Sequence, residues 1–329
     1  MTLNFISKYR TVIFGISIIS IILFHYCEDY VSAFQKGNVD SNLIIFGYYK
    51  CISSIGVEVF LFLSGLGLFY SMSNNSNLIR FYEKRVKRLV IPYAIVGIIF
   101  WSLLDIFINK DGIIEFFKDF TFVTFFTEGE RTIWFIGVIF IFYLIFPLIY
   151  KLIVSKSGAT KAFVLILVIY AADYGIWQLW PSIYNNIEIG VMRLPCFILG
   201  ALCAYLIKKD IQIKNIISVL ITIGLVFKLL DVFVDMPQYY SRIIATFYAI
   251  SLVLIVCYLL EKFQWKQFNK IMGIVGAYSL ELYMIHVCTR KLVKSIGIYT
   301  CKLDVYIGII VVSIILSLTL HKIGEKINM

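Results

Sequence analysis

Apolar residues fill this chain in long runs separated by short polar loops. A helix needs about 20 predominantly apolar residues to cross a bilayer. Ten runs qualify, at roughly 11–28, 51–72, 88–108, 133–153, 161–180, 190–207, 214–234, 241–261, 272–292 and 303–322. The ninth is interrupted by Gly273, Gly276, Glu281 and His286. Small residues inside other runs (Gly97, Gly137, Gly200, Gly224) fit close helix contacts. No internal repeat or low-complexity tract breaks the pattern. The reading is an all-α, polytopic protein forming one membrane-embedded domain over residues 1–329, with the lipid bilayer as its first partner.

Composition agrees. The chain is 60% hydrophobic with a mean hydropathy of +0.89, and only 15% of its residues are charged. Soluble domains carry about 25% charged residues, so there is too little polar surface here to face water all round. The net charge of +10 does not indicate a nucleic-acid partner, because the basic residues sit in short loops between spans. With the N-terminus in the cytoplasm, the cytoplasmic segments hold more than half of the 30 Lys and Arg residues, among them Lys8, Arg80, Lys84, Arg85, Lys87, Arg88, Lys151, Lys208, Lys262 and Lys322. Positive-inside bias therefore predicts N-in and C-in. Thr11 to Phe24 resembles a signal peptide only superficially, since no A-x-A-like site follows; it is expected to remain as the first helix. The seven cysteines form no CxxC pair, and most lie in apolar runs as small packing residues. No metal-ligand spacing is present, so no metal is expected. Richness in Ile, Lys, Asn, Tyr and Phe points to an AT-rich bacterial source and to its plasma membrane.

Ionisable residues within the apolar runs are the candidates for chemistry, because a charged side chain at membrane depth costs at least about 2.5–3.5 kcal/mol and faces a cavity or a partner. His25 ends the first span, and histidine is the side chain best suited to move a proton near neutral pH. Glu28 follows at i+3, on the same helical face. Glu58 lies within the second span and requires a partner or a proton. Ahead of the third span, Arg85 and Arg88 stand three residues apart, where guanidinium forks suit phosphate oxygens or anionic headgroups. In the ninth run, Glu281, Tyr283 and His286 fall within two turns. His321, beside Lys322, reads as interfacial.

Five segments resemble the acyltransferase-3 family of integral-membrane acyltransferases. His25 ends the first helix. Gly56-Val57-Glu58-Val59-Phe60-Leu61-Phe62-Leu63-Ser64-Gly65 is similar to the family's G-V-[DE]-x-F-F-x-x-S-G segment. Phe81-Tyr82-Glu83-Lys84-Arg85-Val86-Lys87-Arg88 with Pro92-Tyr93 resembles its F-x-x-[RK]-R-x-x-R-x-x-x-P-Y element. Trp134-Phe135 with Phe142-Tyr143 and Pro147 resembles its W-F…F-Y-x-x-x-P helix. Ser279 to His286 resembles a late-helix pattern. One position departs. The family often has an Arg eleven residues before the His, where this chain has Phe14, and Arg10 lies one turn earlier.

The resemblance implies a membrane O-acyltransferase. It would move an acyl group, commonly acetyl, from cytoplasmic acetyl-coenzyme A to a hydroxyl of an extracytoplasmic cell-surface glycan or its lipid-linked precursor. Arg85 and Arg88, with Arg10, would hold the coenzyme A; His25 would be the general base, oriented by Glu28 or Glu58. Trp134, Tyr143, Glu281, Tyr283 and His286 would line the substrate path or support it structurally. No fused outer domain is read, so the glycan would be acylated directly or through a separate extracytoplasmic transferase. The main rival is a transporter or flippase of lipid-linked sugars. It predicts ionisable residues scattered over several central helices; here they gather at the first helix end, the second helix and the ninth run.

Overall fold

The computed structural model describes residues 4–52, 55–211, 214–234 and 236–328. Among these every regular element is helical. Nine helices are long and apolar enough to cross a membrane, and a tenth span forms if the bent pair Lys266–Ala277 and Ser279–Ser295 counts as one. The break, of 63°, falls at Tyr278, inside the run that Gly273, Gly276, Glu281 and His286 interrupt. All-α, multi-pass architecture is thus what the chain adopts. Several boundaries differ from the expected ones: the second and third spans start earlier, at Leu43 and Leu78 instead of 51 and 88, and two others are instructive. The first helix extends over Arg10–Gln35, with the Tyr30 hydroxyl donating to the Asp40 carbonyl beyond its end (3.0 Å). The sixth span begins at Pro181, not 190. Proline is tolerated in a helix's first turn, where its missing N–H costs nothing, and the polar Ser182, Asn185 and Asn186 hid the helix in the sequence.

The chain divides into two compact units. The first comprises Met1–Ser20, Ser54–Phe81 and Ile141–Ala277. Its tightest crossing joins the Ile55–Asn74 and Leu194–Lys208 helices. A β-carbon on Gly65 would collide with the Phe197 carbonyl, and one on Gly200 with the Phe62 carbonyl. Each glycine is the notch for the other helix's backbone, which is how helices associate when lipid supplies no hydrophobic drive between them. Charge closes the same crossing. Arg193 Nε meets Glu58 Oε1 at 2.9 Å, with both side chains at least 95% buried, and the Cys196 thiol donates to the Glu58 carbonyl (3.3 Å). Beside it, Lys214–Val234 and Gln238–Phe263 pair as a hairpin, where the Ser251 hydroxyl donates to the Leu220 carbonyl (3.0 Å).

The second unit comprises Ile21–Ser53, Tyr82–Phe140 and Tyr278–Met329. Ser279–Ser295 packs along Leu303–Asn328. The third span is wound more loosely at two places, Val86–Val90 and Ser102–Ile108, as π-helical turns. The first has an evident cause. Pro92 offers no N–H, and its ring would clash with the carbonyl four residues back. Widening by one residue relieves the clash, and the Ile91 N–H reaches the Val86 carbonyl five residues away. Two short helices, Ile113–Phe120 and Val123–Thr127, follow this span. Phe120 and Phe122 stack on Tyr93 at 5.5 and 4.8 Å, and the Tyr93 hydroxyl donates to the Phe120 carbonyl (2.7 Å).

Asp119, in the first of these short helices and outside the spans, is buried and accepts from the Thr124 hydroxyl. Burial pushes its carboxyl up to about 6; the Thr124 bond acts the other way, while Glu130, Glu115 and Glu128 raise it further. A raised folded-state value means that ionisation disfavours folding, so stability is fully present below the ordinary carboxylate range and declines as pH rises through about 6.

Two substitutions test this packing. Gly200→Val should eject one helix from the first unit's crossing and abolish the monodisperse peak on size-exclusion chromatography. Asp119→Asn should raise the thermal midpoint at pH 7.5 by about 2–4 °C and leave it nearly unchanged at pH 4. An equal effect at both pH values would show that Asp119 is not held near 6.

Candidate active site

In the second unit, the Arg10–Gln35 helix and the Ser279–Ser295 helix bring two imidazoles together; His25 lies well inside the first helix and does not end it as the apolar run had suggested. The rings of His25 and His286 lie 5.5 Å apart, with planes inclined by 12°. His286 is fully buried and 3.1 Å from the Tyr306 hydroxyl through Nε2. That hydroxyl donates its own proton to the Ile22 carbonyl (2.6 Å). Its oxygen can therefore only accept from His286, so the hydrogen-bond network assigns the His286 proton to Nε2 and the free lone pair to Nδ1. The Nδ1 atoms of both histidines are buried with no hydrogen-bond partner among the described residues. On His286 that atom is an acceptor with no donor to serve.

One turn on, a charge cluster fixes the same two helices. Asp29, 2% exposed at its side chain, accepts from Arg290 Nε (2.8 Å) and Nη2, from Lys294 Nζ and from the Thr300 hydroxyl (2.6 Å). Glu28 accepts from Arg290 Nη2 at 2.6 Å. His286, Arg290 and Lys294 follow at intervals of four, so they share one helical face. Glu28, expected from its i+3 spacing to orient His25, has Arg290 as its hydrogen-bond partner.

An aromatic wall and a second ion pair occupy the rest of this helix. Tyr283 meets Phe135 edge-on at 5.2 Å, and Phe135 meets Trp134 at 6.1 Å; all three are buried. Lys291 reaches Glu130 at 3.3 Å. Burial works to raise the Glu130 carboxyl, but Lys291 and the donors of Thr132 hold it below the usual range. Glu281 lies 2.9 Å from His321 Nδ1, and Tyr278 packs on the His321 ring at 4.4 Å. His321, read from the sequence as merely interfacial, is thus the partner that lets Glu281 be buried.

Arg85 and Arg88 belong to the second unit as well. Arg85 is half-buried and Arg88 exposed, with exposed Lys84 and Lys87 beside them. The π turn begins between them, so the α-helical rule that i and i+3 share a face no longer applies. Four cations with Glu83 as the acidic residue among them remain chemically suited to a polyphosphate. Leu89, on the same turn, is buried, and the turn packs against Leu303–Asn328.

Three expected residues fall in the first unit. Glu58 pairs with Arg193. Tyr143 is partly buried on the Trp134–Val154 helix. Arg10 donates through Nε to the Leu63 carbonyl (3.1 Å), lies over the Phe14 ring at 5.2 Å, and occupies the space that a side chain at Gly67 would fill. The position that departs from the family pattern, Phe14, is therefore the ring on which Arg10 rests.

A family model described as "Acyltransferase domain" matches residues 15–322, nearly the whole chain. The chain belongs to the acyltransferase-3 family. It is a multi-pass membrane acyltransferase. No curated protein and no solved structure matches it.

Sequence reading missed Asp29, Arg290, Lys294, Tyr306 and Arg193. The signals were present. Arg290 follows His286 at i+4, and Arg193 stands between Met192 and Leu194 in an apolar run, where a lone cation requires a buried anion.

Removing one member of a buried ion cluster leaves the other uncompensated, at a cost of about 3–5 kcal/mol. Arg290→Ala should therefore lower the thermal midpoint sharply, whereas Asp29→Asn combined with Arg290→Gln should recover much of the loss. A double variant no better than the single one would mean that the cluster does not hold these helices.

Proposed function

We propose that this acyltransferase carries an acyl group, most simply acetyl, from coenzyme A on the cytoplasmic side to a hydroxyl of a glycan or lipid-linked sugar outside, in the plasma membrane of a bacterium. The observation that carries the reading is the His25–His286 pair. Its two unpartnered Nδ1 atoms sit beside a preorganised cluster of Asp29, Arg290 and Lys294. A general base must lie within hydrogen-bond reach of the proton it takes, and a buried acceptor with no partner of its own is free for a substrate hydroxyl.

In this mechanism the acceptor O–H gives its proton to His25 as its oxygen attacks the thioester carbonyl. The new C–O bond forms, the tetrahedral adduct collapses, and the C–S bond breaks. The proton held by His25 passes to the departing thiolate, so the transfer is balanced and the imidazole is restored. Arg290, locked by Glu28 and Asp29, sets a positive field beside the ring, which favours the oxyanion of the adduct. Lys84, Arg85, Lys87 and Arg88 offer the donor's phosphates four cations. An Arg fork prefers phosphate oxygens in bidentate geometry.

His25→Ala should abolish acyl transfer, by at least about 100-fold given the usual contribution of a general base, with the protein still folded and inserted. Arg85→Ala/Arg88→Ala should weaken acetyl-coenzyme A binding to the purified protein, compared with wild type at a temperature where both remain folded. Activity retained by the His25 variant would remove the base from this scheme; unchanged coenzyme A affinity in the double variant would remove the phosphate grip.

A further inference from the structure

The Leu303–Asn328 helix supplies a side chain that the reaction above does not use, the buried phenol of Tyr306. It bridges the two helices that carry the imidazoles. Its hydroxyl donates to the Ile22 carbonyl at 2.6 Å, one turn before His25, and lies 3.1 Å from His286 Nε2. Its ring meets His286 at 5.7 Å and Tyr26 at 5.0 Å, both edge-on. One residue of the last helix thus ties the backbone ahead of one histidine to the ring of the other.

The direction of these bonds limits what His286 can do. A phenol has a single proton. Turning that proton toward His286 would leave the Tyr306 and Ile22 oxygens 2.6 Å apart with nothing between them. The proton therefore stays on the Ile22 side, and His286 keeps its own on Nε2. No proton leaves by this route, because the chain of donors ends on a backbone carbonyl, which accepts a hydrogen bond but is too weak a base to accept a proton. A second proton on His286 would sit on Nδ1, which is buried with no hydrogen-bond partner among the described residues. The charged groups around the ring give such a cation no counterion. Arg290 stands one turn along its own helix. Asp29, on the first helix and within electrostatic range, already serves Arg290, Lys294 and Thr300, and Glu28 serves Arg290.

We infer that Tyr306 is a positioning residue for acyl transfer: it holds His286 as a neutral, Nε2-protonated imidazole beside His25, so that His25 alone takes the acceptor's proton. Two imidazoles 5.5 Å apart cannot both become cations without mutual repulsion. As His25 turns into an imidazolium, a neutral ring inclined by only 12° to it removes that conflict. The same phenol fixes the spacing of the pair, since it grips both helices. The role in transfer rests on the function proposed above; the tautomer rests on the hydrogen bonds alone.

The test uses the full chain in lipid nanodiscs, with histidine isotope-labelled at both ring nitrogens and read by magnetic resonance. The chain has three histidines, so His25→Gln and His321→Gln assign the signals. Wild-type His286 should show one bare and one protonated nitrogen, the proton lying on Nε2, the nitrogen that couples to both ring C–H protons. Tyr306→Phe should turn this single tautomer into a mixture. Thiol release from acetyl-coenzyme A, with water or methyl glucoside as acceptor, is followed on the same samples. The variant should lower kcat roughly tenfold or more, a part of what a general base contributes, and leave KM nearly unchanged, as when an interaction made only in the transition state is lost. A merely structural tyrosine would lower the melting temperature and leave the tautomer and kcat of the folded fraction as they were. If Tyr306→Phe fails to fold, the wild-type spectrum decides. A wild-type His286 protonated on Nδ1 or on both nitrogens overturns the inference, and so does a folded variant with unchanged tautomer or unchanged kcat. Turnover by wild type with the wrong tautomer sinks this inference alone. The expected tautomer in a wild type that neither binds nor cleaves acetyl-coenzyme A sinks the donor assignment, and with it the role in transfer.

Discussion

Water cannot satisfy a charge inside a lipid-embedded helix bundle, so each ionisable group must be answered by the chain itself. Asp29 shows how fully this is done. One carboxylate receives Arg290, Lys294 and Thr300, and the guanidinium that serves it also holds Glu28. Such a cluster gives little net stability over an apolar replacement, since desolvation offsets most of the attraction. What it gives is position. The helices carrying His25 and His286 cannot rotate without breaking several charge-assisted bonds at once. The same rule organises the first unit through Glu58–Arg193 and Glu188–Arg242.

Against this background the two imidazoles acquire meaning. Where Asp29 receives donors from Arg290, Lys294 and Thr300, the Nδ1 atoms of His25 and His286 have no hydrogen-bond partner among the described residues. The network around Tyr306 accounts for one proton of His286 and no more. A side chain that is held rigidly by its neighbours and still has an open valence for hydrogen bonding is arranged for a visitor.

Much of this was legible before any coordinates. Span number, helical class and family follow from long apolar runs and five short segments, because the bilayer's thickness is a constraint that sequence must meet locally. His25 stood out because a titratable residue in such a run is rare. Partners were harder to see. Asp29 and Arg290 are 261 positions apart, and nothing in the spacing of either announces the other. The start of the Pro181 helix was hidden because its first turn is polar and exposed, whereas Glu188 further along is buried through Arg242 and Gln238 on a distant helix. The π turn at Val86–Val90 was also unseen, although its cause, Pro92, is in the sequence. The short amphipathic helices after the third span fell below the length at which an apolar run declares itself. What sequence conveys well is what each segment owes to lipid; what it conveys poorly is which segments owe something to each other.

The paired glycine notches at Gly65 and Gly200 have a mechanical meaning. Each carbonyl is seated where only a hydrogen atom fits, so the two helices form a keyed joint. Sliding along the joint would drive a backbone oxygen into the next side chain within a single residue's rise, about 1.5 Å. Shear is thereby blocked at this crossing. Any motion that admits a bulky substrate must treat Ile55–Asn74 and Leu194–Lys208 as one stiff strut, with compliance left to looser places such as the widened turns of the third span.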